Sequence, residues 1–283
     1  MTSIIFGLGT AVFFACSTLL SDRAVRRIDP WSVVAWVTFF GLIWTTPFLL
    51  ASGIPETLTT DVVRWMAVAG LGNVGGLVLA AFALRIGKVG VVAPIVAAEG
   101  AIAAVVAASL GESIAPIIAF FLFLIVIGVI IAAAGPDPAP IENERPVLAA
   151  LLATAAALSF GLSLFATGYI SGDLPSAWVL LPARLVGSVA IFLPLLLTRR
   201  LRITRLALPL VIGMSITEFL GFWSFSLGAR DAVGVTSVLS SQFAPIAAVA
   251  AYFLFKEKLG RIQIAGVVLL VFSVSALTFV TAQ

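Results

Sequence analysis

The sequence predicts an all-α polytopic membrane protein of ten transmembrane helices, arranged as two inverted five-helix repeats. Three observations carry this expectation. Apolar residues make up 61% of the 283 positions and charged residues only 10%. The apolar residues fall in about ten long, nearly uncharged blocks, each close to the roughly 20 residues that cross a bilayer core. The second half of the chain also repeats the first, as shown below. A barrel is excluded, because its strands would alternate apolar and polar residues and these blocks are apolar all round. In lipid each segment must satisfy its own backbone amides, which leaves helices.

Span 1 covers roughly residues 3–21. Met1–Phe6 carries no basic residue, so a cleaved signal peptide is not expected. The single cysteine, Cys16, follows the bulky Phe14, which argues against lipoprotein processing, and one cysteine builds no disulfide framework. Spans 2 (30–52) and 3 (63–84) begin near Trp31 and Trp65, which read as interface anchors. In span 3, Asn73 lies beside Gly72 and Gly76, a spacing that lets helices approach closely. Span 4 (89–110) carries Glu99. Glu112 precedes span 5 (114–134) and Glu257 precedes span 10 (260–281), where a carboxylate favours the positive end of a helix dipole. A polar, proline-rich linker, 135–146, separates a first repeat (1–134) from a second (147–283).

Span 6 (147–170) is uncharged, and span 7 (176–198) holds Trp178, Pro182 and Arg184. Pro182 cannot donate to the carbonyl of Trp178, which leaves a free acceptor one turn away. Span 8 (206–228) holds Glu218, with Phe222, Trp223 and Phe225 one to two turns on, placed to wall a cavity. In span 9 (232–254), Ser237, Ser240, Ser241 and Gln242 precede Pro245, whose ring frees the carbonyl of Ser241. Donors and acceptors beside an interrupted helix are the local form of a transporter site.

Charge position supplies topology. Thirteen Lys and Arg residues fall in the loops after spans 1, 3, 5, 7 and 9, against only Arg64 and Arg230 on the other side. The positive-inside rule then puts the odd-to-even loops in the cytoplasm and both termini outside. The basic pI of about 9.5 follows from this loop bias, not from nucleic-acid binding. The expected location is the bacterial inner membrane.

Residues 89–110 match 233–254 at nine of twenty-two positions, including Val89-Gly90-Val91 with Val233-Gly234-Val235 and Ile102-Ala103-Ala104-Val105 with Ile246-Ala247-Ala248-Val249. Each repeat holds five spans, an odd number, so the halves must cross the membrane in opposite senses. Inverted repeats of this kind are a transporter architecture, with the substrate site near the midplane between the halves. These spans, the Val-Gly-Val entries to spans 4 and 9, Pro245 before Glu257, and Leu110-Gly111-Glu112 before span 5 resemble the EamA branch of the drug/metabolite transporter superfamily. The resemblance implies export of amino acids or related metabolites, as in the aromatic amino-acid exporters of that branch. The chain departs from it in two places: Ala101 stands where the second half has Pro245, and Glu99 has Phe243 as its repeat mate. The four-span relatives couple transport through a glutamate in the first helix, and neither span 1 nor span 6 has one here.

A charge at bilayer depth costs about 2.5–3.5 kcal/mol on insertion scales, so such residues face a wet cavity or a partner. The candidate substrate-binding residues are Asn73, Glu99, Arg184, Glu218, Trp223, Ser237, Ser241 and Gln242. Arg184 can hold a carboxylate bidentately, or pair with Glu99 or Glu218. Either glutamate can receive an ammonium, or carry a proton. The expected cavity is lined by spans 1, 3, 4, 6, 8 and 9, with span 7 contributing Arg184. The chain has no histidine, its aspartates lie in or beside loops, and no phosphate-binding loop appears. Hydrolytic enzymes, metal sites, cofactors and ATP drive are therefore not expected. The expected function is export of small polar or amphipathic metabolites, foremost amino acids, by alternating access. The alternatives are a proton-coupled exporter of drugs or nucleobases, then a channel or a structural membrane scaffold.

Overall fold

The computed structural model describes residues 2–109, 116–134, 143–256 and 258–281. Among these the regular structure is helical throughout, with no strand. Glu112, Glu257 and most of the 135–146 linker lie outside the described residues, as does the side chain of Ser237.

The elements are α1 (Thr2–Val25), α2 (Pro30–Ser52), α3 (Thr60–Ile86), α4 (Val89–Val96), α5 (Glu99–Ser109), α6 (Pro116–Ala134), α7 (Pro146–Ser171), α8 (Ser176–Gly187), α9 (Leu193–Leu197), α10 (Leu208–Ser240), α11 (Phe243–Phe255) and α12 (Arg261–Thr281). A π-helical turn, Ser188–Phe192, joins α8 to α9 and makes one span of the two. Six helices are long and apolar enough to cross a bilayer, and four shorter apolar helices accompany them. Large side chains such as Leu197 (74% exposed) and Phe253 (72%) point outward. Water would make such a surface costly, whereas acyl chains match it. The chain is a multi-pass membrane protein.

Local chemistry sets the helix starts. Asp29 caps α2, accepting from Ser32 N at 3.0 Å, with Pro30 in the first turn. Thr59 caps α3 through Val62 N, and Asp61 and Arg85 lie at the dipole ends that favour their charges.

Two helices are interrupted where the sequence showed no common signal. Between α4 and α5, Ala98 N donates to Ile95 O; between α10 and α11, Gln242 N donates to Leu239 O, both at 3.2 Å. Residues 95 and 98 become 239 and 242 at the offset of the internal repeat, so the same tight turn recurs in both halves. One break follows Pro94 and the other precedes Pro245.

Helical hydrogen bonding runs unbroken through α10, across the expected loop between spans 8 and 9. A Cβ on Gly228 would nonetheless lie 2.9 Å from Thr236 Cγ2. Eight residues of straight helix span about 12 Å, so the chain must bend back sharply between them. The reversal expected near residues 229–231 is present, built from helical turns.

Connections gather at two ends. At one, Arg202 N donates to Ser32 Oγ, Arg145 N to Ile86 O, and Lys88 Nζ to Lys258 O. These are the basic loops that follow the odd spans. At the other, Thr57 Oγ1 donates to Asp173 O, Trp178 Nε1 to Gly53 O, and Arg230 Nη2 to Leu174 O. Inside the bundle α1 packs on α10, α3 on α7, α6 on α12, α2 on α8 and α4 on α11.

Candidate functional site

A cavity of about 600 Å³, its mouth included, opens between α1, α3, α4, α5, α7, α10 and α11. The space open to the centres of water-sized spheres is about 70 Å³, room for several waters at roughly 10–15 Å³ each. These helices are the six spans expected to line a cavity.

The walls are mostly apolar, with Phe14, Phe160, Phe222 and Phe243 among them. Against that background stand two buried carboxylates, Glu99 and Glu218, and the hydroxyl-bearing face of α1, Ser17, Thr18 and Ser21. Ser17 Oγ donates to Glu218 Oε1 at 2.8 Å, while Glu218 Oε2 has no partner among the described residues. Glu99 is not in mid-helix, as its span position suggested. The break at Ala97 and Ala98 puts it in the first turn of α5, where the helix dipole favours a negative charge.

Arg184 and Asn73 line a second, smaller cavity with Ser163 and Thr167. Arg184 is fully buried, and its Nε and Nη1 lack hydrogen-bond partners among the described residues. Among the described residues no carboxylate lies within 4.0 Å of it, so the direct pair with Glu99 or Glu218 is not formed in this conformation. Room for the side chain comes from α2: a Cβ on Gly41 would meet Arg184 Cδ at 2.8 Å. Neither amide atom of Asn73 has a hydrogen-bond partner among the described residues. Close packing occurs beside it instead, with Gly72 against the Ser159 backbone and Gly76 against Phe160.

The remaining candidates with described side chains lie apart from both cavities. Trp223 packs 4.8 Å from Phe48 and 5.3 Å from Phe219, ring centre to ring centre, in an aromatic cluster near the non-basic end. Gln242 Nε2 donates to Ser275 Oγ of α12, and Ser241 is buried at the break between α10 and α11. Phe222, expected with Trp223 and Phe225 to wall a cavity, lines both. Ser17 was missed. A lone serine in an apolar span carries no signal until packing sets α1 against α10.

A model of the EamA-like transporter family matches residues 1–134, less than half of the chain. No curated protein sequence matches. A solved protein structure superposes on 99% of this chain and 97% of its own, with a TM-score of 0.67 and 16% identity, which establishes likeness of fold alone. The first half of the chain is therefore similar to EamA-like transporters, and its whole length to a solved fold.

Proposed function

We propose that this protein is a carrier of small polar or amphipathic metabolites, exporting amino acids by alternating access of two inverted five-span halves (1–134 and 147–283). The observation that carries the reading is the part-open cavity, with Glu99 and Glu218 set into apolar walls and spans of both halves contributing. A buried carboxylate without a fixed counter-ion suits a cationic group that arrives and leaves. The family match over the first half supports transport over enzymatic chemistry. Two features support duplication: the tight turns at Ala98 and Gln242, and the main helix pairings, which are unchanged when each span is exchanged for its counterpart five spans on. In this reading the basic end faces the cytoplasm and both termini face out. A cytoplasm-only reporter fused after Gln283 should therefore stay silent, and an active one reverses the orientation.

The test is counterflow in liposomes containing the purified protein. Labelled amino acid should accumulate, saturably, against unlabelled amino acid trapped inside. Linear, unsaturable flux indicates a channel, and no flux of any amino acid removes the reading. The four wall phenylalanines favour one alternative, proton-coupled export of flat aromatic drugs or nucleobases. In that case such compounds, and not amino acids, give counterflow, with a dependence on the proton gradient.

A further inference from the structure

The small cavity beside Arg184 is confined and chemically incomplete. Arg184 is 1% exposed and Asn73 2%, and four of their nitrogen and oxygen atoms have no hydrogen-bond partner among the described residues. Leaving a buried amide bare is costly, and an isolated buried cation more so. The space admits only about 10 Å³ of water-sphere centres, room for roughly one water. An organic acid does not fit while the wall stays as it is.

Phe222 is the part of that wall shared with the main cavity. Its ring lies 5.9 Å from the Arg184 guanidinium carbon and 5.0 Å from the ring of Phe14. On α10 it stands four residues, one helical turn, beyond Glu218. Turning this ring aside would join the carboxylate cavity to the guanidinium cavity.

We propose that Arg184 and Asn73 form a carboxylate-binding subsite for the transported molecule, closed off by Phe222 until substrate arrives. This rests on the carrier reading of the main cavity and adds to it the place where the acid end of the substrate, an α-amino acid or related zwitterion, is held. The guanidinium offers a planar fork of donors that matches a carboxylate. The Asn73 amide adds a donor for the acid and an acceptor for an ammonium beside it. Glu218, one turn away, supplies negative charge on the ammonium side. A simple acid satisfies fewer of these groups than a zwitterion does.

The test is titration calorimetry on the purified full chain with L-phenylalanine, its carboxamide and 3-phenylpropanoate. Wild type should bind L-phenylalanine at least about tenfold more tightly than the carboxamide, a ratio worth roughly 1.4 kcal/mol. Arg184→Gln should erase that ratio, Asn73→Leu should reduce it, and Arg184→Lys should keep part of it. Phe222→Ala should tighten binding of 3-phenylpropanoate by removing the door. Each variant is checked for a wild-type thermal transition, and Asn73→Leu carries the test if Arg184→Gln does not fold. Equal binding of acid and carboxamide, no binding of either, or a preference that survives both substitutions overturns the subsite. Carboxylate-selective binding without liposome counterflow keeps the subsite and removes the carrier. Counterflow without acid preference does the reverse.

Discussion

At the scale of single residues, the buried charges were legible because lipid makes them expensive. Glu99, Arg184 and Glu218 stood out against uncharged spans, and all three line cavities. Their partners were not legible, since a hydroxyl's value depends on which helix it faces. Ser17 is the clearest case. Its hydroxyl is the only hydrogen-bond donor to the Glu218 carboxylate among the described residues, and Oε2 is bare already. Ser17→Ala should leave both oxygens without a protein donor and lower stability by about 1–3 kcal/mol, the cost of stranding a buried acceptor. Thermal unfolding in detergent reads this as a lower midpoint, while Ser17→Thr, which keeps the hydroxyl, should stay near wild type. An unchanged midpoint for Ser17→Ala would mean that cavity water already serves the carboxylate.

At the scale of elements, the ten spans followed from length and hydropathy, but the interruptions did not. Ala97 and Gln242 both hold ψ near zero, at −11° and −1°, in equivalent turns. Their nearby prolines lie on opposite sides of the break, so the absence of a proline at Ala101, the repeat mate of Pro245, concealed the shared turn. Close helix approaches were only half visible. The Gly72 and Gly76 spacing marked the face of α3 that meets α7, whereas Gly70 gave no signal, because its neighbour is the backbone of α8. A Cβ there would lie 2.8 Å from both the carbonyl carbon and the oxygen of Pro182. That backbone cannot rotate away as a side-chain tip can. Replacing glycine by alanine in a helix gains up to about 1 kcal/mol of propensity, whereas overpacking costs about 1–3 kcal/mol. Gly70→Ala should therefore destabilise the fold and separate α3 from α8. Gly213→Ala is the contrasting variant, since its nearest neighbours are the terminal methyls of Leu20 at 3.2 and 3.8 Å. Its thermal midpoint should match or exceed wild type. Equal midpoints for the two variants would show that α8 yields freely.

At the scale of the whole molecule, alternating charge in the loops told which connections share an end, and the structure gathers them accordingly. Which helix packs on which was beyond the pattern, because every span is apolar on all sides and offers no preferred face. One consequence of that packing is a latch at the basic end. Arg26, just past α1, donates to Asp22 at 2.6 and 2.9 Å and reaches the carbonyls of Leu84 and Gly87 at 3.2 and 3.1 Å. The latch ties α1 to the end of α3, beside Ser21 and Leu84 of the cavity wall. Charge-assisted hydrogen bonds of this kind are stronger than neutral ones. In the proposed alternating access the cavity opens at one end while it closes at the other, and the two contacts to Leu84 and Gly87 must break for α1 and α3, which both line it, to separate at the basic end. Arg26→Ala should shift the population toward a state open at this end. The measurement is the labelling rate of Ser21→Cys by a bulky, membrane-impermeant maleimide, with the native Cys16 replaced by serine. Labelling should be several-fold faster with Arg26→Ala than with Arg26, and intermediate with Arg26→Lys, which keeps the charge without the fork. Identical rates in all three would mean that α1 and α3 move as one body, and the opening would then have to lie between other helices.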